Sequence, residues 1–162
     1  MNLARAVRTL HRQQWVPRPL ETVFDFFEHP ENLTLITPPW LGLRLRTPGS
    51  LTMQAGLVID YYVRVLGWTT RWQSLVAEYD PPYSFRDVQI IGPYRRWDHR
   101  HSFRREEDGT VIEDLVVYEP PLGPLGGLLD LLVIRRQLAA IFEYRRQRIE
   151  ALFGAGAPAR RR

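Results

Sequence analysis

A series of strand-like segments followed by one long helix-like segment constrains the fold of this chain more than any other feature. Between residues 41 and 119, short stretches rich in β-branched and aromatic residues alternate with turn-forming residues. These turn-forming residues are Gly67, Pro81-Pro82, Gly92-Pro93 and Asp108-Gly109. The pattern is typical of consecutive antiparallel strands. The predicted strands are residues 41–47, 57–66, 69–79, 84–91, 95–107 and 110–119.

Other elements precede and follow this series. Residues 5–16 predict a first strand, which Pro17 ends. Two short helices are predicted next, one with apolar residues at helical spacing through Phe27 and one that begins at Pro30. A long amphipathic helix is predicted over residues 125–153, with Gly154 as its stop. Its apolar stripe comprises Leu128, Leu131, Leu138, Ile141, Phe142, Ile149 and Leu152.

An antiparallel sheet of this size has an apolar face to cover, and the last helix is the longest element available to cover it. We therefore expect one α+β domain over residues 1–153. In it, a seven-stranded antiparallel sheet wraps around the long C-terminal helix, with two short helices between strands 1 and 2. Residues 154–162 contain nothing to bury and predict a disordered Arg-rich tail.

The composition excludes several classes of function. Cysteine is absent, which excludes disulfides, thiolate metal sites and a thiol nucleophile. All 22 basic residues are Arg, they are scattered along the chain, and the formal net charge is only +4, so nucleic-acid binding is not expected. The most apolar stretch, residues 122–134, is short and interrupted by glycines, Pro124 and Asp130. It cannot span a bilayer, and a cytoplasmic protein is predicted.

The sixth predicted strand carries the residues with the most chemistry. Because side chains alternate across a strand, Trp97, His99, His101 and Phe103 share one face, which must look inward. Charged residues occupy the other face. The strand therefore places two imidazoles beside aromatic side chains in the interior.

The turn at Asp108-Gly109 predicts how the sixth and seventh strands pair. With these two residues at the centre of the turn, Glu107 faces Thr110. Further along, Phe103 faces Asp114, His101 faces Val116 and His99 faces Tyr118, which leaves Asp114 diagonal to His101. A buried carboxylate needs a partner, and His101 or Arg145 of the long helix would supply one. Asp87 and Gln89 take either face, depending on the length of the turn at Gly92-Pro93.

Residues 92–103 resemble the GPY-x-x-W-x-H-x-H-x-F signature of the SRPBCC, or START-like, superfamily in its bacterial polyketide cyclase/dehydrase-type branch. The flanking segments 85–89, 114–126 and 136–145 are similar as well. The resemblance implies a helix-grip fold with a deep cavity between the sheet and the long helix. It leaves function open, since the superfamily includes lipid carriers, coenzyme Q-binding proteins, plant hormone receptors and aromatase/cyclases.

Four interpretations of the inward polar residues remain open. They could form a structural network that pins the strands to the helix, or orient an apolar ligand in a largely apolar pocket. They could also carry catalysis, with a histidine as general base beside a carboxylate, in a cyclisation or dehydration. A metal site is the fourth interpretation, but two histidines one strand pleat apart lack an evident third ligand.

The sequence thus predicts a protein that binds an apolar small molecule such as a lipid, quinone or polyketide, without a cofactor or metal. The predicted ligand-binding residues are Trp72, Trp97, His99, His101, Phe103, Asp114, Tyr118, Leu138 and Phe142. The alternative is a cyclase or dehydratase-type enzyme that uses His99, His101, Asp114 and Tyr118 in the same cavity. The apolar segment 120–134 suggests transient contact with a membrane surface, and the chain is expected to be a monomer or a dimer.

Overall fold

The computed structural model describes residues 7–47, 50–65, 67–122, 126 and 130–154. The strands are β1 (Arg8–Val16), β2 (Arg44–Leu45), β3 (Val58–Val65), β4 (Trp68–Asp80), β5 (Ser84–Ile91), β6 (Arg96–Glu106) and β7 (Gly109–Glu119). Helix α1 (Leu20–Phe27) and two 3-10 helices, Pro30–Leu35 and Pro39–Leu41, lie between β1 and β2. A π-helical turn, Asp130–Ile134, leads into the long helix α2 (Arg135–Phe153).

The seven strands form one antiparallel sheet in the order β1-β7-β6-β5-β4-β3-β2. Irregularities in the pairing of β4 with β5 lie between Gln73 and Ser74 and between Val76 and Glu78. Such bulges bend a strand and increase its twist. The sheet curves around α2, which confirms the predicted helix-grip fold.

The core fills both ends of the space between sheet and helices. At one end α1 places Phe24 and Phe27 against Phe103 of β6, with ring centroids 5.4 and 5.1 Å apart. At the other end α2 packs Leu138 and Phe142 against β7. The residues between these two ends border a cavity.

The inward face of the long helix differs from the predicted stripe. Leu138, Phe142 and Ile149 are buried as expected, but Leu131 and Leu152 are 57% and 40% exposed. The π-helical turn takes more residues per turn than an α-helix, which rotates the residues before Arg135 relative to an α-helical path, and Asp130 is buried in place of Leu131. Parts of the predicted helix and tail lie outside the described residues: residue 125, residues 127–129, which include Leu128, and the tail from residue 155 onward.

The predicted register of β6 and β7 is wrong by two residues. Glu106 pairs with Gly109, so Glu107 and Asp108 form the turn, and Glu107 adopts a φ of +52°. Gly109 lies in β7 instead, where a Cβ atom would approach the Val16 carbonyl oxygen to 2.3 Å. The glycine thus serves the close approach of β1 rather than the turn. A shift of two preserves the faces but places His101 directly opposite Asp114.

Two elements near the start of the sheet also differ from prediction. The predicted strand 41–47 is reduced to Arg44–Leu45, because the 3-10 helix continues to Leu41 and Gly42 turns the chain at φ +52°. The second short helix, which begins at Pro30, is a 3-10 helix. None of the helices in the described residues is long and apolar enough to cross a membrane.

Candidate functional site

A cavity of about 180 Å³ lies between the concave face of the sheet and α2. Its apolar lining includes Tyr61, Val63, Trp72, Val76, Tyr94, Trp97, Leu138 and Ile141. The helical segment between β1 and β2 contributes Phe27, Leu33 and Ile36 at one side. Ligand sites commonly measure about 300–1,000 Å³, whereas an engineered apolar cavity of about 150 Å³ holds benzene. The cavity therefore accommodates a molecule of about one aromatic ring.

A group of polar side chains lies at the edge of this apolar space, and we call it the His–Asp–Arg cluster: Asp87, His99, His101, Asp114 and Arg145. All of them except Asp114 line the cavity. His99 Nε2 donates a hydrogen bond to Asp114 Oδ1 at 2.8 Å, and His101 Nε2 donates to Asp87 Oδ2 at 3.2 Å. His101 Nδ1 also lies 3.0 Å from Asp114 Oδ1. Its N–H does not point at this oxygen, so the contact is an ion pair rather than a hydrogen bond.

Aromatic rings hold the two imidazoles in place. The rings of His99 and His101 have centroids 3.7 Å apart. Phe85 stacks on His101 at 4.3 Å, and Phe142 of α2 meets His99 edge-on at 5.9 Å. Packing on both sides leaves these rings little rotational freedom, so the cluster is preorganised.

A second hydrogen-bonded chain extends the cluster along the cavity wall. Ser74 Oγ donates to Asp87 Oδ1 at 3.2 Å and accepts a hydrogen bond from Trp72 Nε1 at 3.2 Å. The Tyr61 hydroxyl lies 3.4 Å from Ser74 Oγ. The polar groups of Trp72, Ser74 and Asp87 thus have partners among one another, which is what burial of polar groups requires.

Burial and charge shift the pKa values of the two histidines in opposite directions. Burial disfavours a charged His101, but its contacts with Asp114 and Asp87 outweigh this and raise its pKa. Burial and the neighbouring positive charge of His101 lower the pKa of His99. Burial opposes ionisation of both carboxyls, yet the histidines hold the pKa of Asp87 below its usual value and that of Asp114 well below it. With Arg145, two positive groups balance two negative groups.

Arg145 occupies an unusual position. It is only 9% exposed, its guanidinium lies 5.0 Å from the centroid of the Phe142 ring, and its Nη1 lies 3.8 Å from Asp114 Oδ1. Nε and Nη1 are buried, and neither donates a hydrogen bond to any residue that the structure describes. Arg145 borders the cavity and also a second space, which Asp114 borders as well.

The predicted ligand-binding residues fall into two groups. Six of them line the cavity: Trp72, Trp97, His99, His101, Leu138 and Phe142. Phe103, Asp114 and Tyr118 do not. Phe103 belongs to the aromatic core with α1. Asp114 lies behind the histidines, toward a cleft of about 300 Å³ between β1 and α2 that charged and amide side chains line.

Tyr118 anchors the start of the long helix instead of facing the cavity. Its hydroxyl donates to Oδ1 of Asp130, which is completely buried, at 2.7 Å. The other oxygen, Oδ2, accepts from Arg8 Nε at 3.1 Å and Arg135 Nε at 2.7 Å. Burial and this carboxylate raise the pKa of Tyr118. In the sequence, Asp130 is evident only as an interruption of an apolar stretch.

From the sequence, the faces of Asp87 and Gln89 stay undecided, and Ser74 is not predicted to belong to the site. Asp87 faces the cluster, whereas Gln89 braces the turn after β5, its Nε2 donating to the Tyr94 carbonyl at 2.7 Å. Ser74 was missed, although its alternation with Trp72 and Val76 on β4 predicts an inward side chain. Ile141 also lines the cavity, and its place in the apolar stripe of the long helix is the signal for it.

The geometry also bears on metal binding. Asp87, His99 and His101 each offer one atom, and these atoms lie within 4.8 Å of one another. However, both nitrogens of His101 already face carboxylates, and Arg145 adds a positive charge. The cluster is therefore arranged as an internal ion-pair network, which is less suited to a cation.

Comparison with known proteins identifies the family. The sequence profile of the family described as "Polyketide cyclase / dehydrase and lipid transport" matches residues 16–142. The chain therefore belongs to this family, within the SRPBCC superfamily. Its membership supports the binding of hydrophobic small molecules in general. No curated protein matches the sequence.

Solved structures show the same fold at low sequence identity. A Thermus thermophilus protein is 20% identical with a TM-score of 0.63, and the match covers 90% of this chain and 99% of that one. The major latex-like protein 151 of Panax ginseng is 13% identical with a TM-score of 0.66, covering 91% and 97%. A Chromobacterium violaceum protein is 12% identical with a TM-score of 0.69, covering 92% and 99%. These similarities establish the fold alone.

Proposed function

We propose that this protein binds a small apolar molecule in the cavity between the sheet and α2. The observation that carries the proposal is the composition of the cavity wall, in which aromatic and aliphatic side chains predominate and Asp87, His99, His101 and Arg145 supply a fixed polar group. Sites for small molecules typically combine an apolar lining with a few fixed polar groups. Family membership supports the same conclusion.

The volume limits the size of the ligand. At about 180 Å³ the cavity fits a single substituted ring. A larger lipid or polyketide would bind only if the helical segment between β1 and β2 moved away from α2. A small aromatic or alicyclic compound is the ligand that this conformation fits best.

A titration with toluene, followed by two-dimensional amide NMR, tests the proposal. We expect the largest shift changes at Val76, Trp97 and Leu138, which line the cavity on three different elements. Ile141→Trp should fill the cavity and abolish these changes. Ile90→Trp is the matched control, because Ile90 is 53% exposed and does not border the cavity. Toluene binding that survives Ile141→Trp, or no binding to the native protein, would overturn the proposal.

One observation favours catalysis as a second candidate. Asp114 is ionised and can only accept, so His99 carries its proton on Nε2, and the lowered pKa leaves Nδ1 as an unprotonated acceptor. A neutral imidazole positioned by a carboxylate is suited to remove a proton next to a carbonyl group, as cyclisation or dehydration requires. Turnover of a small 1,5-diketone to its cyclic enone, lost in His99→Gln, would support this function. No turnover above the buffer rate would eliminate it for that substrate class.

A further inference from the structure

The guanidinium of Arg145 is the least satisfied polar group at the cavity wall. Its Nε and Nη1 are buried, and within the described part of the chain no acceptor receives their hydrogens. Its carboxylate neighbour, Asp114, is 3.8 Å from Nη1, which is too far for a hydrogen bond. Buried donors without partners are rare in native proteins and usually indicate a missing acceptor.

Arg145 borders the apolar cavity and also the cleft between β1 and α2, and the apolar cavity is the one that offers a ring-sized molecule an aromatic wall. Arg145 follows Ile141 by one helical turn on the face of α2 that borders the cavity. Phe142 packs beneath the guanidinium and holds it. A molecule inside the cavity could therefore present an oxygen atom to the guanidinium while its ring contacts the aromatic wall.

We infer that Arg145 recognises a carbonyl oxygen, and that the ligand is a small neutral aromatic or cyclic ketone. This inference rests on the proposed function and names the class of its ligand. Recognition leaves the ketone chemically unchanged. One or two hydrogen bonds form from the guanidinium to the carbonyl oxygen, and the ring remains among the apolar side chains.

The charge of the cluster explains why the ligand is neutral. Asp87 and Asp114 supply two negative charges, and His101 and Arg145 supply two positive charges, all within one buried group. A carboxylate ligand would add a negative charge that nothing compensates, in a place where water cannot solvate it. A ketone satisfies the two donors without adding charge.

Three compounds of similar size separate these possibilities: acetophenone, ethylbenzene and benzoate. Each has one aromatic ring, and only the first carries a neutral carbonyl oxygen. The variant is Arg145→Met, which keeps an unbranched apolar stem and removes the guanidinium with its donors. Dissociation constants for the native protein and the variant would come from amide NMR titrations at neutral pH.

We expect Arg145→Met to weaken acetophenone binding at least about tenfold more than ethylbenzene binding, because a hydrogen bond to a charged donor is lost for the ketone alone. Native protein should bind benzoate more weakly than acetophenone. Equal weakening of the two neutral compounds, or tighter binding of benzoate, would overturn the inference. If neither neutral compound binds the native protein, the proposed function itself fails.

A measurement on the native protein covers the case in which Arg145→Met does not fold. The Nε–H signal of Arg145 should shift when acetophenone is added and stay in place when ethylbenzene is added at equal occupancy. Matching responses to both compounds would show that the guanidinium does not contact the carbonyl oxygen. Arg136→Met is a suitable control variant, because Arg136 is exposed on α2 and does not border the cavity.

Discussion

Replacement of Asp114 by Asn should destabilise the protein strongly, although the two side chains have nearly the same shape. Asp114 Oδ1 lies 2.8 Å from His99 Nε2, 3.0 Å from His101 Nδ1 and 3.8 Å from Arg145 Nη1. Asp114→Asn would leave the charges of His101 and Arg145 opposed only by Asp87. Removal of one partner from a buried ion pair typically costs about 3–5 kcal/mol.

The assay is thermal and urea unfolding at pH 7. For a chain of this length, each kcal/mol lost from the free energy of unfolding lowers the melting temperature by about 2–4 °C. The melting temperature should therefore fall by roughly 6–20 °C. Asp98→Asn is the matched control. Asp98 lies on the outer face of the same sheet, where it pairs with Arg96 at 3.2 Å and Arg86 at 3.6 Å. Such a pair near the surface contributes about 0–1 kcal/mol.

The sequence alone supports the opposite expectation. An amide is cheaper to bury than a carboxylate, so Asp114→Asn should be mild if Asp114 merely faces an apolar space. A loss of stability no larger than that of Asp98→Asn would refute the charge-balance argument. The excess loss should also shrink as the pH rises through the pKa of His101 in the variant, because deprotonation of His101 removes the uncompensated positive charge.

Two further predictions concern the same fold. The raised pKa of His101 means that its stabilising contribution is complete below about pH 6.5 and is lost as the pH rises through the folded-state pKa. His101→Gln should therefore flatten the decline of the free energy of unfolding above about pH 6.5, and an unchanged decline contradicts this. Asp130→Asn should cost about 1–3 kcal/mol and speed hydrogen exchange in Asp130–Ile134, because it removes the charge of a buried carboxylate that holds the partly exposed Arg8 and Arg135. Unaltered protection of these amides would show that the anchor does not hold the helix start.

The fold was predictable because its evidence is local. Strand periodicity, turn residues and one long amphipathic helix each appear within short windows, and β5 was predicted with its observed bounds. The inward faces of His99 and His101 follow from the same alternation. A two-residue slip in register leaves these faces unchanged, so the error at Glu107 did not affect which side chains turn inward.

The site was less predictable because its contacts are made between distant segments. Gly109 lies where Trp15 and Val16 of β1 approach β7 closely, and the residues next to Gly109 in sequence give no signal of this contact. Asp130 gains its role from Arg8, 122 residues away in sequence. The π-helical turn that brings Asp130 inward has no periodic signal in the sequence. For this reason the sequence predicts that Tyr118 faces the cavity, whereas its hydrogen-bond partner, Asp130, lies at the start of the long helix.

The pairing of β1 has a consequence for the synthesis of the protein. Strands β2 to β6 each pair with the next strand along the chain, but β1 pairs only with β7. At about 5–20 residues per second, the first strand to leave the ribosome waits roughly 5–20 s for its partner. Its edge is open to other nascent chains throughout that time. Arg8, His11 and Arg12 along β1 place charged or polar side chains where strand-to-strand aggregation would otherwise begin.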